Sequence, residues 1–322
     1  MDAGERELFA ASLHQVTAGN TGAALDAALD EVGWGEALPA DPRAAVSLLF
    51  AQQGAAGATS SALDAVLLDA LGFDLDGEAH VGVVLPRLGL IDPPGSVAGE
   101  GVAVGGLALA GLTGHDRALV AAAAAEGCVA AVVDTADLDL RTVGGLDPRL
   151  GIVEVAGAHA AAAWQTEVPP TAWSAAVAAG QRALGHELVG ASRTMLGLAR
   201  EHALERVQFG RRIAQFQAVR HRLAEAYVAI EAADAALTAA WDDGTPLTAA
   251  MAKAIAGRSA RTVSRHCQQV LAGIGFTTEH DLHLFVRRVI VLDRLLGDAR
   301  SLTRRLGEDL LAARSLPAIL PL

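Results

Sequence analysis

The sequence predicts an α+β chain that is mainly α, with helices first, a small central β domain, and a C-terminal four-helix bundle. Three observations carry this. Hydrophobic residues make up 52% of the 322 but aromatics only 4%. That composition suits closely packed helices with small interfacial side chains better than a β-sandwich. From about residue 172 a hydrophobic period near 3.6 persists almost to the end. Between about 80 and 160 the texture changes to short Val/Leu-rich pieces punctuated by Gly, Pro and Asp. The expected domains are 1–78, 79–170 and 171–322.

In the first domain ELFAASLHQV, TGAALDAALDEVGW, DPRAAVSLLFAQQGA and SALDAVLLDALG read as helices. Asp41-Pro42 and Ser60/Ser61 are start signals and Gly72 a stop. In the second, HVGVVLPRLGLI, GVAVGGLALAGL, VAAVVDT, DLRTVGG and RLGIVEVAGA are the strand candidates. In the third, one long helix starts at about 172 and is ended by Phe209-Gly210. A second covers about 212–242, with Ile213, Phe216, Leu223, Tyr227 and Ile230 on one stripe. Asp242-Asp243-Gly244-Thr245-Pro246 breaks it, a third runs from 246 to 272, and a fourth from about 279 to 313.

The net charge of −12 argues against a nucleic-acid partner, since no basic excess exists to neutralise phosphates. Cys128 and Cys267 form neither a disulfide framework nor a metal-ligand spacing. The apolar run 118–134 is broken by Glu126 and Gly127, so no membrane span is expected, and MDAGERELFA carries no secretory signal. A cytoplasmic, soluble protein is the expectation. Residues 279–283, EHDLH, bring His and acidic groups together, but helix-dipole complementarity accounts for Glu279 and Asp281 and no metal is expected.

Against this acidic background, 206–222 holds five arginines, at 206, 211, 212, 220 and 222, and His221. A local cationic cluster fits a small anionic ligand. Arg206 offers a permanent forked donor suited to pyrophosphate. Phe209-Gly210 offers an apolar wall and a close backbone approach, and Gln208 and Gln217 uncharged donors and acceptors. The plainer reading makes Ile213, Phe216 and Tyr227 core, His221 a packing histidine, Phe209 a helix-end plug, and the other arginines surface or interface ion-pair partners.

RVQFGRRIAQFQ (206–217) and QVLAGIGF (269–276), in this order and separation, resemble the acyl-CoA dehydrogenase family, whose patterns are R-x-Q-F-G-R-x-I-x-x-F-Q and Q-x-x-G-G-x-G-F. VDTADLDLRTVGGLDPRLGIVEVAGA resembles the end of that family's β domain. The resemblance implies that Arg206, Gln208, Phe209, Gly210, Phe216, Gln217, Gln269, Ala272 and Gly273 hold the adenine and pyrophosphate half of a neighbouring subunit's FAD.

The departures are as specific. The family's T-E-P-x-A-G-S-D-type loop around the flavin ring has no counterpart in LPRLGLIDPPGSVAGEGVAVGGLALAGLTG (85–114), and a W-I-T-N-type strand is missing. The family's chemistry needs a carboxylate to remove the proton α to a thioester. Its two known positions fall here on Leu296 and Gly180, with Asp298 and Glu187 as fallback acids. The pattern is similar to the degenerate, non-catalytic chain of actinobacterial α₂β₂ acyl-CoA dehydrogenases. Their partner chain carries the base and most of the acyl-CoA site, and they are associated with bulky acyl-CoA esters including steroid side chains. The expectation is therefore a cofactor-completing subunit of such an assembly. The alternatives are a self-sufficient homo-oligomer using Asp298 or Glu187, and a purely structural pseudoenzyme that takes no part in flavin binding.

Overall fold

The computed structural model describes residues 1–73, 81–124, 127–161, 163–164, 169 and 171–314. The expected boundaries at 78/79 and 170 fall outside them. Five helices come first: α1 (Ala3–Gly19), α2 (Ala23–Glu31), α3 (Trp34–Ala40), α4 (Pro42–Ala56) and α5 (Ala62–Ala70). Their ends obey local chemistry. Asp2 caps α1 in a reciprocal capping box with Glu5, and Asp41 accepts the Ala44 N–H ahead of Pro42 in the first turn of α4.

The central sheet is built from β1 (Val81–Val83), β2 (Gly95–Ala98), β3 (Gly101–Ala108), β4 (Arg117–Ala124), β5 (Gly127–Asp134), β6 (Asp139–Thr142), β7 (Val153–Ala161) and β8 (Ala163–Trp164). The spatial order is β6-β7-β3-β2-β4-β5-β8, and β1 lies parallel to β4 on the edge that β2 also uses. β4 shows why an alanine tract makes a strand here. Leu119 and Ala121 join the large core shared with the helices, while Ala118, Val120 and Ala122 join a second core within the sheet. Both faces are buried, so the strand reads as a continuous apolar run. The run 118–134 is thus two antiparallel strands, with Val120 opposite Ala131.

The C-terminal part contains α6 (Ala172–Glu205), α7 (Gln217–Asp243), α8 (Pro246–Leu271), α9 (Leu282–Arg294) and α10 (Ala299–Ala313). Two expectations are corrected. The second bundle helix starts at 217, not 212, because a hairpin and a 3-10 turn intervene. The fourth is two helices: Leu296 and Gly297 take left-handed φ angles of 52° and 91°, and Asp298 caps α10 through the Arg300 and Ser301 N–H groups. Gly-Asp is a stop signal and then a start signal. Tyr227 and His221 are exposed rather than packed, whereas Ile213 lies against the core.

Helices α4 and α6 cross at glycines. A Cβ on Gly190 would sit 2.0 Å from the Ala51 carbonyl oxygen, and one on Gly54 would sit 2.1 Å from that of Glu187. This close approach locks the N-terminal helices onto the bundle. No helix of the described residues is long and apolar enough to cross a membrane.

Candidate functional site

The arginine-rich stretch forms a two-residue hairpin at the end of α6. β9 (Val207–Gln208) pairs with β10 (Arg211–Arg212), and the Ile213 N–H donates to the Arg206 carbonyl at 2.9 Å to close it. The tip is Phe209-Gly210, with φ of 53° and 75°. Two positive φ angles match a type I′ turn, whose twist suits the strands. Glycine accepts that conformation freely, but phenylalanine does so under strain. Phe209 is also 92% exposed, so it plugs no helix end and sits at a hairpin tip instead. Its ring meets Phe216 edge-on at 6.2 Å, and the Arg211 guanidinium lies 4.2 Å over Phe216.

The second stretch lies at the same end of the bundle. The Arg222 Nη1 and His266 Nδ1 atoms, 3.4 Å apart, align the start of α7 with the end of α8, and the His202 and His280 rings meet edge-on at 6.5 Å. Burial pulls the His202 pKa down, and the nearby His280 and Arg206 add to this. Ala272 and Gly273 are exposed, and Phe276 stands out beside them. Ala272 takes φ 55°, a conformation that the family pattern's glycine would adopt without strain. A Cβ on Gly273 would touch nothing among the described residues, whereas one on Gly275 would strike the Gln268 carbonyl oxygen at 2.9 Å. Nothing in the chain's own packing asks for glycine at 273.

Several polar groups of this end have no side-chain partner among the described residues. Arg206, Arg211 and Arg212 form no ion pair among the described residues, and Gln208, Gln217 and Gln269 make no side-chain hydrogen bond there. Arg220 uses its Nε on the Ala214 carbonyl at 2.8 Å. The ion pairing expected of the other arginines is therefore absent within the described residues.

Gly180 and Leu296 come together at the far end of α6. A Cβ on Gly180 would sit 2.4 Å from a Leu296 methyl and 3.1 Å from Leu67, with Leu63 next. Leu296 is buried, and its carbonyl accepts the Gln181 Nε2 at 3.0 Å. The turn is held by Lys253, whose Nζ donates to the carbonyls of Leu292, Asp293 and Gly297 at 3.0–3.3 Å. Burial pulls the Lys253 pKa down to about 8, opposed by Asp293 and Asp298.

The two fallback acids are both engaged. Asp298 spends its carboxylate on the cap of α10 and lies 3.9 Å from Arg294. Desolvation is the largest single influence on its pKa and acts upward, but hydrogen bonds from the Ser301 and Arg300 N–H groups, then Arg294, together hold it low. Glu187 is buried and takes Arg288 at 2.7 Å. Arg288 is fully buried and also binds Thr59 Oγ1 at 3.1 Å and the Ala58 carbonyl, with Asp147 at 3.8 Å. This network ties the α4–α5 connection, the β region, α6 and α9 together. Sequence reasoning missed Arg288 and Lys253. The available signal was a lone cation on an apolar face, among Phe285, Val289 and Leu292 for one and Ala249, Ala256 and Ala260 for the other. No group of metal-ligating side chains occurs among the described residues, the 279–283 segment included.

Residues 175–311 match the family described as acyl-CoA dehydrogenase, C-terminal domain. A 126-residue segment is 40% identical to acyl-CoA dehydrogenase IpdE2 of Mycobacterium tuberculosis, covering 39% of this chain and 40% of that protein. Acyl-CoA dehydrogenase FadE34 of the same organism is 42% identical over 129 residues, which are 38% of this chain and 18% of that one. The curated relatives are thus matched over two fifths of their length or less. Among solved structures, the Tcur3481-Tcur3483 steroid ACAD superposes with a TM-score of 0.82 at 23% identity, over 97% of this chain and 99% of the other. A chain of the ChsE4-ChsE5 complex from Mycobacterium tuberculosis gives 0.79 at 20% identity, over 99% of each. At such identities these two likenesses speak for the fold, and the matched bundle speaks for descent. Residues 175–311 thus carry the acyl-CoA dehydrogenase C-terminal domain, set in a chain that has the fold of solved acyl-CoA dehydrogenases.

Proposed function

We propose that this chain is the cofactor-completing subunit of a heteromeric, FAD-dependent acyl-CoA dehydrogenase and lacks a catalytic base of its own. One observation carries the reading. The dinucleotide-type patch and the paired base positions stand at opposite ends of α6, about 25 residues or roughly 38 Å apart along a helix. A single bound dinucleotide serving the chain's own Gly180–Leu296 seam would not reach the 206–217 hairpin. The hairpin therefore serves a site on another chain.

The residues present fit that cofactor half. Arg206, Arg211 and Arg212 carry fixed charge with no carboxylate among the described residues to neutralise it, which suits a pyrophosphate. Phe209 and Phe276 are exposed apolar surfaces that an adenine or a partner side chain would cover. Gly273 and the left-handed Ala272 present bare backbone, and Gln208, Gln217 and Gln269 present unused amides. FAD, when bound, supplies the hydride acceptor for α,β-dehydrogenation of an acyl-CoA thioester. This chain's part is to orient its far half and to exclude water there, while the base and most of the substrate site belong to the partner. The steroid ACAD and the ChsE4-ChsE5 complex among the structural neighbours support a two-chain assembly and a bulky acyl group.

Flavin content and native mass test this, measured for the chain alone and for the chain co-expressed with a candidate dehydrogenase partner. The expected result is a colourless protein alone and a heteromer with one FAD per pair. Arg206→Ala should weaken FAD retention by the pair about ten-fold or more, the loss of one charge-assisted pairing. One FAD per chain in the lone protein would overturn the reading, and unchanged FAD retention in the variant would favour a purely structural role.

A further inference from the structure

A concave site lies at the other end of the bundle, where the 91–93 loop meets α6, α8 and α10. Its volume is about 440 Å³, within the range of small-molecule sites, and at about 30 Å³ per water it would hold some fifteen waters. Ile91, Pro93, Trp173, Val177, Leu247 and Leu306 are among its apolar lining residues. We propose that this pocket binds a neutral, mostly apolar molecule that carries a hydroxyl group.

Three features specify that ligand. First, the wall is largely apolar and pre-formed. Trp173 is fixed by its Nε1, which donates to the Ile91 carbonyl at 2.9 Å, and Asp92 is held by Arg305 at 3.3 Å. Second, Gln181 lines the pocket at 2% exposure with its orientation set by the bond from Nε2 to the Leu296 carbonyl. No hydrogen bond to its Oε1 is made by the described residues, and that oxygen is not among the atoms shut away without a partner, so it is open to accept from a ligand in the pocket. A hydroxyl supplies the donor, whereas a hydrocarbon would leave the acceptor unpaired. Third, the charged lining groups are Asp92, Arg305 and Asp309, which sum to one negative charge. A carboxylate or phosphate would be desolvated beside that charge and is disfavoured. The site is built on the first turns of α6, at the end away from the hairpin, and does not depend on the role assigned to the hairpin.

Trp173 makes the test direct. The full chain is titrated with ω-bromoundecanol, ω-bromoundecanoate and bromoundecane while tryptophan emission is monitored, since bromine quenches on contact. Saturable quenching is expected, with the alcohol about ten-fold tighter than the carboxylate and about five-fold tighter than the bromoalkane, the scale of one hydrogen bond. Trp173→Phe should remove the saturable quenching. Ala250→Phe, on the half-exposed rim, should abolish it while leaving the thermal midpoint in place. Gln181→Met should make the alcohol and the bromoalkane equal. Should that variant fail to fold, the rim variant and the ligand order still decide. Equal affinity for all three probes, or quenching undiminished in Ala250→Phe, would overturn the proposal.

Discussion

Arg288 and Glu187 are the residues on which the parts of this chain converge. Removing the guanidinium in Arg288→Ala leaves the Glu187 carboxylate buried without its partner, a change worth about 3–5 kcal/mol. Urea unfolding should register that loss, and the double variant Arg288→Met, Glu187→Met should recover most of it. Asp64 on α5 poses the opposite problem. Neither carboxylate oxygen has a hydrogen bond of good geometry. Burial pushes its pKa up to about 7, the Val83 backbone offsets part of this, and Asp26 adds to it. The folded chain then keeps a proton that the unfolded chain releases near pH 4. Native stability should fall as pH rises from about 4 to about 7 and stay reduced above that. Asp64→Asn should raise the thermal midpoint at pH 8 more than at pH 5, and equal gains at both would refute this account.

In the proposed reading, the 206–212 hairpin is an element built for something outside its own chain. Phe209 is strained at φ 53° and gives the isolated chain almost no burial. Phe209→Ser should therefore change the lone chain's stability by no more than about 0.5 kcal/mol. The same substitution should lower affinity for the partner chain at least ten-fold, readable by native mass or calorimetry. A large loss in the lone chain would show that the tip is structural. The α9–α10 break is the complementary case, an element end held from within. Lys253, Gln181 and the Asp298 cap fix Leu296 in its left-handed conformation against Gly180.

At the scale of the whole molecule, the long helix α6 separates the cationic hairpin end from an apolar end. There the Gly180 face of α6 is sealed by Leu63, Leu67 and Leu296, so an acid placed on that face does not open a reaction chamber. Leu296→Glu should lower stability by several kcal/mol through an unpaired buried carboxylate and yield no dehydrogenase activity in the lone chain. Activity of the lone variant supplied with FAD would contradict this directly.

By itself the sequence determined the order of helices, β region and bundle, the punctuation at Asp41-Pro42 and Gly72, and the two motifs that carry the family. These are local or periodic signals, written in residues close together in the chain. The alanine-rich β4 escaped notice because alanine has little strand preference of its own, and only burial on both faces makes it a strand. The 212–216 stretch was misplaced because the helical stripe was carried back into the 3-10 turn that follows the Phe209-Gly210 hairpin. Tyr227 was misplaced because the buried face of α7 runs through the small residues Ala226, Ala233 and Ala240 with Ile230 and Leu237. The meeting of Gly180 with Leu296, the Arg288 clamp and the Gln181-lined pocket join residues more than a hundred positions apart. Tertiary structure alone decided those, because contacts across such separations depend on how helices cross, and here they cross at Gly54 and Gly190.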